Sequence, residues 1–284
     1  MNMPTNQILS EPESHPYYIA PKIRQQLSKA QKIVLEYNQD RVYIVTGREG
    51  HGKSTLAFQL AYAVDNTFNI DNIVFNAEQF THKIRTLERG QALVYDECFG
   101  GLSSKGSLTK QNRELIRLLQ ECRQRNLFIF LVLPSFFLLD KYPALFRSTA
   151  LFNVTVSRRN FNHRSFKIYN YREKQELYIR GKVLMDMRRP RIAHSYRFYG
   201  KLPPGMNQEE YEKRKLDAFR GRINEESEES RPLRQRNILM QYLNETVGLT
   251  QQNISDILFK KGISFDHSSV SLAIKGTDSK KSTF

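Results

Sequence analysis

The chain has 284 residues, and 44 Lys and Arg against 29 Asp and Glu give it a formal net charge of +15. This length allows one large domain or two smaller ones, and we favour two. The positive charge argues for a polyanionic partner, nucleic acid before a membrane, although a basic surface that only aids solubility is the alternative.

The composition also indicates the compartment. Two isolated cysteines are too few for a disulfide framework or a zinc site, which favours a reducing environment. The longest apolar run, residues 127–139, is too short to span a bilayer and is interrupted by Pro134. We therefore expect a cytoplasmic protein, in the host cytoplasm if the chain is viral, with no membrane partner.

The first predicted elements surround a glycine-rich loop. Residues 1–17 are rich in Pro, Asn, Ser and Glu and are predicted to be a flexible tail, and residues 19–36 a helix. Residues 41–45 form a β-branched and aromatic run typical of a buried strand, and residues 55–63 have the pattern of a helix.

The segment between that strand and that helix, GREGHGKS at residues 47–54, fits the phosphate-loop spacing of Gly, four residues, then Gly-Lys-Ser. Glycines let backbone N–H groups surround a β-phosphate, a lysine reaches the β- and γ-phosphates, and a serine hydroxyl ligates Mg²⁺. The alternative is an ordinary glycine-rich turn. We expect ATP and Mg²⁺ as cofactors, with nucleotide contacts from Gly47, Arg48, Glu49, Gly50, His51, Gly52, Lys53, Ser54 and Thr55.

Two carboxylates follow a later apolar strand. Residues 70–75 are predicted to be a strand, residues 77–88 a helix, and residues 91–95 a strand that ends at Asp96 and Glu97. At this position Asp96 would hold Mg²⁺ together with Ser54, while Glu97 would polarise the water that attacks the γ-phosphate. A helix cap or an exposed turn is the alternative.

The alternation of strands and helices predicts the fold class. Residues 100–109 are predicted to be a small-residue loop carrying Lys105, residues 112–125 an amphipathic helix with four inward side chains, and residues 127–133 a strand buried on both faces. Strands that alternate with helices indicate an α/β fold with a mostly parallel sheet, and such sheets bind ligands beyond their carboxyl ends. The four side chains predicted to face inward are Leu115, Leu118, Leu119 and Cys122.

A basic segment, residues 151–199, is predicted to contain short strands. Its arginines are interleaved with aromatic residues, as a surface that grips a nucleic-acid backbone and stacks on bases requires. A sheet edge kept soluble by charge is the alternative. The aromatic residues are Phe161, Phe166, Tyr169 and Tyr171, and the expected DNA contacts in this segment are Arg158, Arg159 and Arg164.

The remaining residues predict a small helical domain. Residues 201–232 are expected to be a charged helix followed by a solvated linker at 225–230, and residues 233–284 a separate domain with helical patterns at 234–244, 250–260 and 268–275. The last two resemble a helix-turn-helix or winged helix, with Ser268, Ser269 and Ser271 on the recognition helix and Ile254, Ile257 and Leu258 packed inward. A helical assembly module is the alternative.

Across residues 41–156 the order of motifs resembles P-loop ATPases of the additional-strand, catalytic-glutamate division. These RecA-like and FtsK–HerA-like proteins include viral genome-packaging ATPases and the zonula occludens toxin-like ATPases of filamentous phages. The resemblance implies catalytic roles for Lys53 and Glu97, a γ-phosphate sensor at Ser135, where those relatives often have Thr-Gln or Gln, and an arginine finger acting in trans at Arg147. A surface or core-edge ion pair is the alternative for Arg147.

Two functions follow as hypotheses. The first is a homo-oligomeric ring that hydrolyses ATP to move double-stranded DNA, as in genome packaging or mobile-element transfer. Lys105 and Lys110 would contact phosphates in the pore, and a loop that only faces solvent is the alternative for this segment. The second is a DNA-binding ATP switch that does not translocate, such as a loader, a partition protein or a transposition regulator. Both require ATP hydrolysis.

Overall fold

A computed structural model of the protein describes residues 17–98, 105–157, 163–187, 190–192 and 194–261, with 270, 271 and 274. The chain divides into two compact units, Met1–Ala218 and Phe219–Phe284. Within the described residues, no helix has the length and apolar character needed to cross a membrane.

The first unit is built on an eight-stranded sheet of order β1-β8-β7-β6-β2-β5-β4-β3. The five strands from β6 to β3 in that order are parallel, and β7, β8 and β1 add antiparallel pairs at the β6 side. The strands are Tyr17–Ile19 (β1), Arg41–Gly47 (β2), Ile73–Val74 (β3), Ala92–Tyr95 (β4), Phe128–Leu133 (β5), Ala150–Val156 (β6), Arg164–Tyr169 (β7) and Ser195–Gly200 (β8).

Helices cover both faces of the sheet, as the burial of β5 shows. Successive side chains of a strand point to opposite faces. Phe128 and Phe130 belong to one apolar cluster and Ile129 and Leu131 to the other, and all are fully buried. This confirms the predicted α/β fold. The α-helices of at least ten residues within the described ranges are Pro21–Glu36 (α1), Lys53–Val64 (α2), Ala77–Thr86 (α3), Lys105–Glu121 (α4), Tyr171–Gly181 (α5), Gln208–Glu245 (α6) and Gln251–Lys260 (α7).

Several predicted boundaries in the first half of the chain were wrong. Tyr17 and Ile19 belong to strand β1, paired with β8, and not to a tail and a helix. The strand predicted at 70–75 is a short 3-10 helix, Ile70–Asn72, followed by β3. Helix α4 begins at Lys105, so Lys105 and Lys110 lie in its first turns and not in a loop. Local patterns place such ends poorly because capping and pairing decide them.

The basic segment contains a helix that the sequence interpretation missed. Asn170 and Glu173 form a capping box, in which each side chain accepts a hydrogen bond from the other residue's backbone N–H, and this starts α5. Phe166 and Tyr169 are buried in the core, so the prediction that they stack on bases was wrong. Tyr171 is exposed, and Phe161 lies outside the described residues.

The linker predicted at 225–230 was also wrong, because α6 runs through it without a break. Glutamate is a good helix former, and a run of charged residues is compatible with a solvated helix as well as with a linker.

In the second unit, Thr250 caps α7 through a hydrogen bond from the Asn253 N–H to its side chain. Ile254 packs with Met240, Val270 and Ile274, but Ile257 is 48% exposed, contrary to its predicted inward position. Ser268 and Ser269 lie outside the described residues.

Candidate nucleotide-binding site

The loop after β2 has a backbone that only glycine allows at its two ends. Gly47 has φ +149°, and a methyl group placed on it would lie 2.6 Å from the Val154 carbonyl oxygen of β6. Gly52, the N-cap of α2, has φ +89°. Thr46 donates a buried 3.2 Å hydrogen bond to Asn153 Oδ1 and so fixes β2 to β6 just before the loop. The amino terminus of α2 therefore faces the space that an anion would fill.

Lys53 lies across the mouth of this loop. Its Nζ donates a 3.0 Å hydrogen bond to the Arg48 carbonyl oxygen, which keeps the ammonium folded back over the loop. Burial lowers the pKa of Lys53, and the nearby Asp96 carboxylate opposes that shift. The ammonium thus stands in a partly desolvated position where a phosphate would be its natural partner.

Asp96 lies opposite Lys53 at the carboxyl end of β4, fully buried. Ser54 Oγ donates a 3.0 Å hydrogen bond to Asp96 Oδ1, and the Tyr211 hydroxyl donates one of 2.6 Å to Oδ2. Burial raises the pKa of Asp96, while the hydrogen bond from Tyr211 opposes the shift. A serine hydroxyl beside a carboxylate at a phosphate loop is the oxygen donor set that Mg²⁺ takes, so Ser54 and Asp96 fit this ion.

Glu97 is the next residue and turns its side chain into the same space. It adopts φ +51°, and its Oε1 lies 2.7 Å from the Nζ of Lys215 on α6. Both side chains are a little more than one third exposed. A cavity of about 740 Å³ joins the loop, both carboxylates and the amino-terminal turns of α6. Its lining residues include Glu49, Gly50, Gly52, Lys53, Ser54, Thr55, Asp96 and Glu97.

The predicted sensor residue Ser135 does not line the cavity. The side chain of Ser135 accepts a 3.3 Å hydrogen bond from the Phe137 N–H and caps a short 3-10 helix, and Pro134 lines the cavity in its place. Arg158 and Arg159 lie outside the described residues.

Arg147 makes the ion pair that was the alternative to a trans finger. Its guanidinium bonds both carboxylate oxygens of Asp40 and the Leu119 carbonyl oxygen, and the side chains of Arg147 and Asp40 are only 10% and 8% exposed. Asp40 precedes β2, so the pair lies at the edge of the sheet opposite the phosphate loop. An arginine finger needs an exposed guanidinium, whereas the Arg147 guanidinium is buried in this ion pair.

Arg164 is placed differently from its predicted role in DNA binding. It is the first residue of β7 and lines the cavity, with its guanidinium against Gly52. Tyr211 and Lys215 were missed as site residues altogether. Tyr211 is 115 residues from its hydrogen-bond partner Asp96, and no motif links positions so far apart.

The fold and this loop are those of a P-loop NTPase. Residues 25–141 match the family model described as Novel STAND NTPase 3, and no curated protein matches the chain. The phosphate loop and both carboxylates fall inside the matched range. The predicted resemblance to P-loop NTPases is confirmed.

Two solved structures are similar to the chain at low identity. The N-terminal domain of zonular occludens toxin from Neisseria meningitidis is 14% identical over 46% of this chain and 84% of that one, with a TM-score of 0.30. AMPPCP-bound DnaA from Aquifex aeolicus is 15% identical over 94% of this chain and 90% of that one, with a TM-score of 0.31. Likenesses at such TM-scores carry no argument about function.

Proposed function

We propose that the chain hydrolyses ATP with Mg²⁺ and uses the cycle to act on double-stranded DNA as a homo-oligomeric motor. The observation that carries the hydrolysis is the 3.0 Å hydrogen bond between Ser54 and Asp96, with Glu97 beside it in the cavity of the phosphate loop. This arrangement supports a metal-binding pair and a general base that share one cavity.

Each residue then has a defined part in the reaction. The loop N–H groups and Lys53 bind the β- and γ-phosphates, and Ser54 and Asp96 hold Mg²⁺, which when bound supplies charge stabilisation at the phosphate oxygens. Glu97 orients a water and takes its proton as the water oxygen bonds the γ-phosphorus. The bond to the β–γ bridging oxygen breaks, and ADP leaves with that electron pair.

Substitution of Lys53 and Glu97 tests this chemistry. Lys53→Ala should remove tight ATP binding, while Glu97→Gln should keep binding and lower turnover by about a hundredfold or more, because Glu97 acts only on the water. Nucleotide affinity and phosphate release are measured separately, with Lys22→Ala on the exposed side of α1 as the control. Normal turnover in Glu97→Gln would remove Glu97 from the chemistry.

The DNA part of the proposal is supported by charge. The net charge is +15, and Arg172, Arg191 and Arg197 are exposed in the basic segment. Such residues release condensed counterions from DNA, so affinity should fall with salt with a log–log slope of about −0.9 per phosphate contact. Neutralising Arg158, Arg159 and Arg197 together should flatten that slope, and an unchanged slope would favour the solubility interpretation.

The second candidate, a DNA-binding switch that does not translocate, is favoured by one observation. Tyr211 and Lys215 of α6 bond the Asp96 and Glu97 carboxylates, so one helix holds both groups that hydrolysis needs. A switch that rests in this state would hydrolyse ATP slowly. An assay for displacement of a triplex-forming strand from duplex DNA during ATP hydrolysis distinguishes the two candidates. A motor that moves along the duplex removes this third strand, whereas a switch that does not translocate leaves it bound.

A further inference from the structure

Arg164 is brought to the phosphate loop by the direction of its strand. β7 runs antiparallel to β6, and Arg164 pairs with Val156, so β7 begins at the edge where the parallel strands end. A methyl group placed on Gly52 would lie 3.0 Å from Arg164 Nη1 and 3.4 Å from Cζ. The guanidinium therefore lies against the last glycine of the loop.

No residue of the described part of the chain satisfies this guanidinium by a hydrogen bond or an ion pair. That contrasts with Arg147, whose guanidinium bonds a carboxylate and a carbonyl. Arginine forms its strongest hydrogen bonds with carboxylates and phosphates, often two at once. Because Arg164 and Lys53 line the same cavity, a phosphate bound there can accept hydrogen bonds from both.

Lys215 brings a second cation to the same cavity from α6. Its ammonium lies 2.7 Å from Glu97 Oε1, the carboxylate that must act on the attacking water. The Oε1 oxygen that holds this ammonium is occupied and cannot at the same time orient that water. A γ-phosphate carries more negative charge than Glu97, so its arrival offers Lys215 a stronger partner in the same space.

We propose that Arg164 and Lys215 complete the terminal-phosphate site in cis: Arg164 binds the γ-phosphate, and Lys215 transfers from Glu97 to the γ-phosphate when ATP binds, which frees Glu97 for the water. The inference rests on the proposed ATP hydrolysis. It assigns to residues of the same chain the positive charge that the motif resemblance placed at Arg147 of a neighbouring chain. ADP lacks the γ-phosphate, so neither contact forms with it.

The first test measures how well the full chain distinguishes ATPγS from ADP by calorimetric titration. Arg164→Ala and Lys215→Ala should each weaken ATPγS binding by about tenfold or more while ADP affinity changes by less than about threefold, since a charge-assisted hydrogen bond is lost only with the triphosphate. The matched controls are Lys167→Ala on β7 and Lys213→Ala on α6, neither of which lines the cavity. Lys215→Arg should restore most of the discrimination.

An equal loss for ATPγS and ADP would show a merely structural role and overturn the proposal. Turnover should fall by about a hundredfold in Arg164→Ala, comparable to the loss of one donor to developing charge. If the wild-type chain binds ATPγS but does not hydrolyse ATP, the proposed function fails, whereas the binding ratio still decides the contacts of Arg164 and Lys215.

The second test distinguishes action in cis from action in trans. Arg164→Ala and Glu97→Gln chains are mixed, and turnover per chain is compared with that of each variant alone. Action in cis predicts no recovery at any protein concentration, because neither chain has a complete site. Recovery of turnover on mixing would require an arginine from the neighbouring chain and would overturn the proposal.

Discussion

Positive charges at the two edges of the sheet have different surroundings. The amino edge is the one where the parallel strands begin, and the carboxyl edge is the one where they end. At the amino edge, Arg147 is bonded to Asp40 and to the Leu119 carbonyl oxygen, and the buried Lys174 ammonium donates to Ser148 O at 2.6 Å and Ala144 O at 3.2 Å. At the carboxyl edge, Lys53 and Arg164 surround an open cavity.

The difference teaches how the fold separates structure from function. Cations at the amino edge satisfy carbonyl and carboxylate groups that burial would otherwise leave unpaired, so they serve stability. Cations at the carboxyl edge share a cavity with backbone N–H groups, a serine hydroxyl and two carboxylates, so they suit a phosphate and its metal ion. The direction of the strands decides which of these environments a residue reaches.

Removal of the Arg147–Asp40 ion pair at the amino edge should lower the free energy of unfolding more than any other change. Arg147→Met leaves Asp40 buried without its ion pair, and removal of one partner of a buried pair costs about 3–5 kcal/mol. We expect the free energy of unfolding in urea to fall by this amount, with ATPγS affinity of the folded protein unchanged. A weaker ATPγS affinity with an unchanged free energy of unfolding would indicate that Arg147 contributes to nucleotide binding.

A substitution at Gly47, on the carboxyl edge, should reduce both nucleotide binding and the free energy of unfolding. In Gly47→Ala the new methyl group meets the Val154 carbonyl oxygen at 2.6 Å with φ at +149°, and we expect a cost of roughly 3 kcal/mol from strain and displaced backbone. ATPγS binding should be lost. Gly205→Ala is the control, because φ there is +78° with nothing within 4 Å of the added methyl, and it should keep full nucleotide binding.

Lys174 makes the amino edge sensitive to pH. Burial lowers its pKa from 10.5 to about 8, so between these values the unfolded chain binds a proton that the folded chain does not. The free energy of unfolding should therefore rise with pH across this window, by at most about 3 kcal/mol, and this contribution should be lost as pH falls to 8. Urea denaturation of the wild type and of Lys174→Met at pH 7.5 to 10.5 isolates the contribution of Lys174. The same change in the free energy of unfolding with pH in both proteins would contradict this prediction.

The smallest effect is expected at Tyr211. Tyr211→Phe removes the donor to Asp96 Oδ2 and leaves the ring packed against Phe58. One hydrogen bond is worth about 1 kcal/mol, so Mg²⁺-dependent ATPγS affinity should change by roughly fivefold. Tyr242→Phe, at an exposed position in α6, should change nothing. Equal affinities for the wild type and Tyr211→Phe would mean that the hydroxyl does not act on the metal-binding carboxylate.

The sequence by itself was enough for the elements whose signals are contiguous. The spacing of residues 47–54, the strand before Asp96 and the continuous apolar run of β5 depend on neighbours along the chain, so local rules of backbone and burial predict them. Once those strands are known to be parallel, their carboxyl ends must share one edge, which brings Ser54 and Asp96 together.

Only the tertiary structure decided which distant residues join the site. Arg147 and Arg164 are the same residue type 17 positions apart, yet one precedes a parallel strand and the other begins an antiparallel one, so they reach opposite edges of the sheet. Tyr211 and Lys215 reach Asp96 and Glu97 only because α6 packs over the cavity. A sequence shows that a side chain is charged, but its partner depends on the direction and packing of the element that bears it.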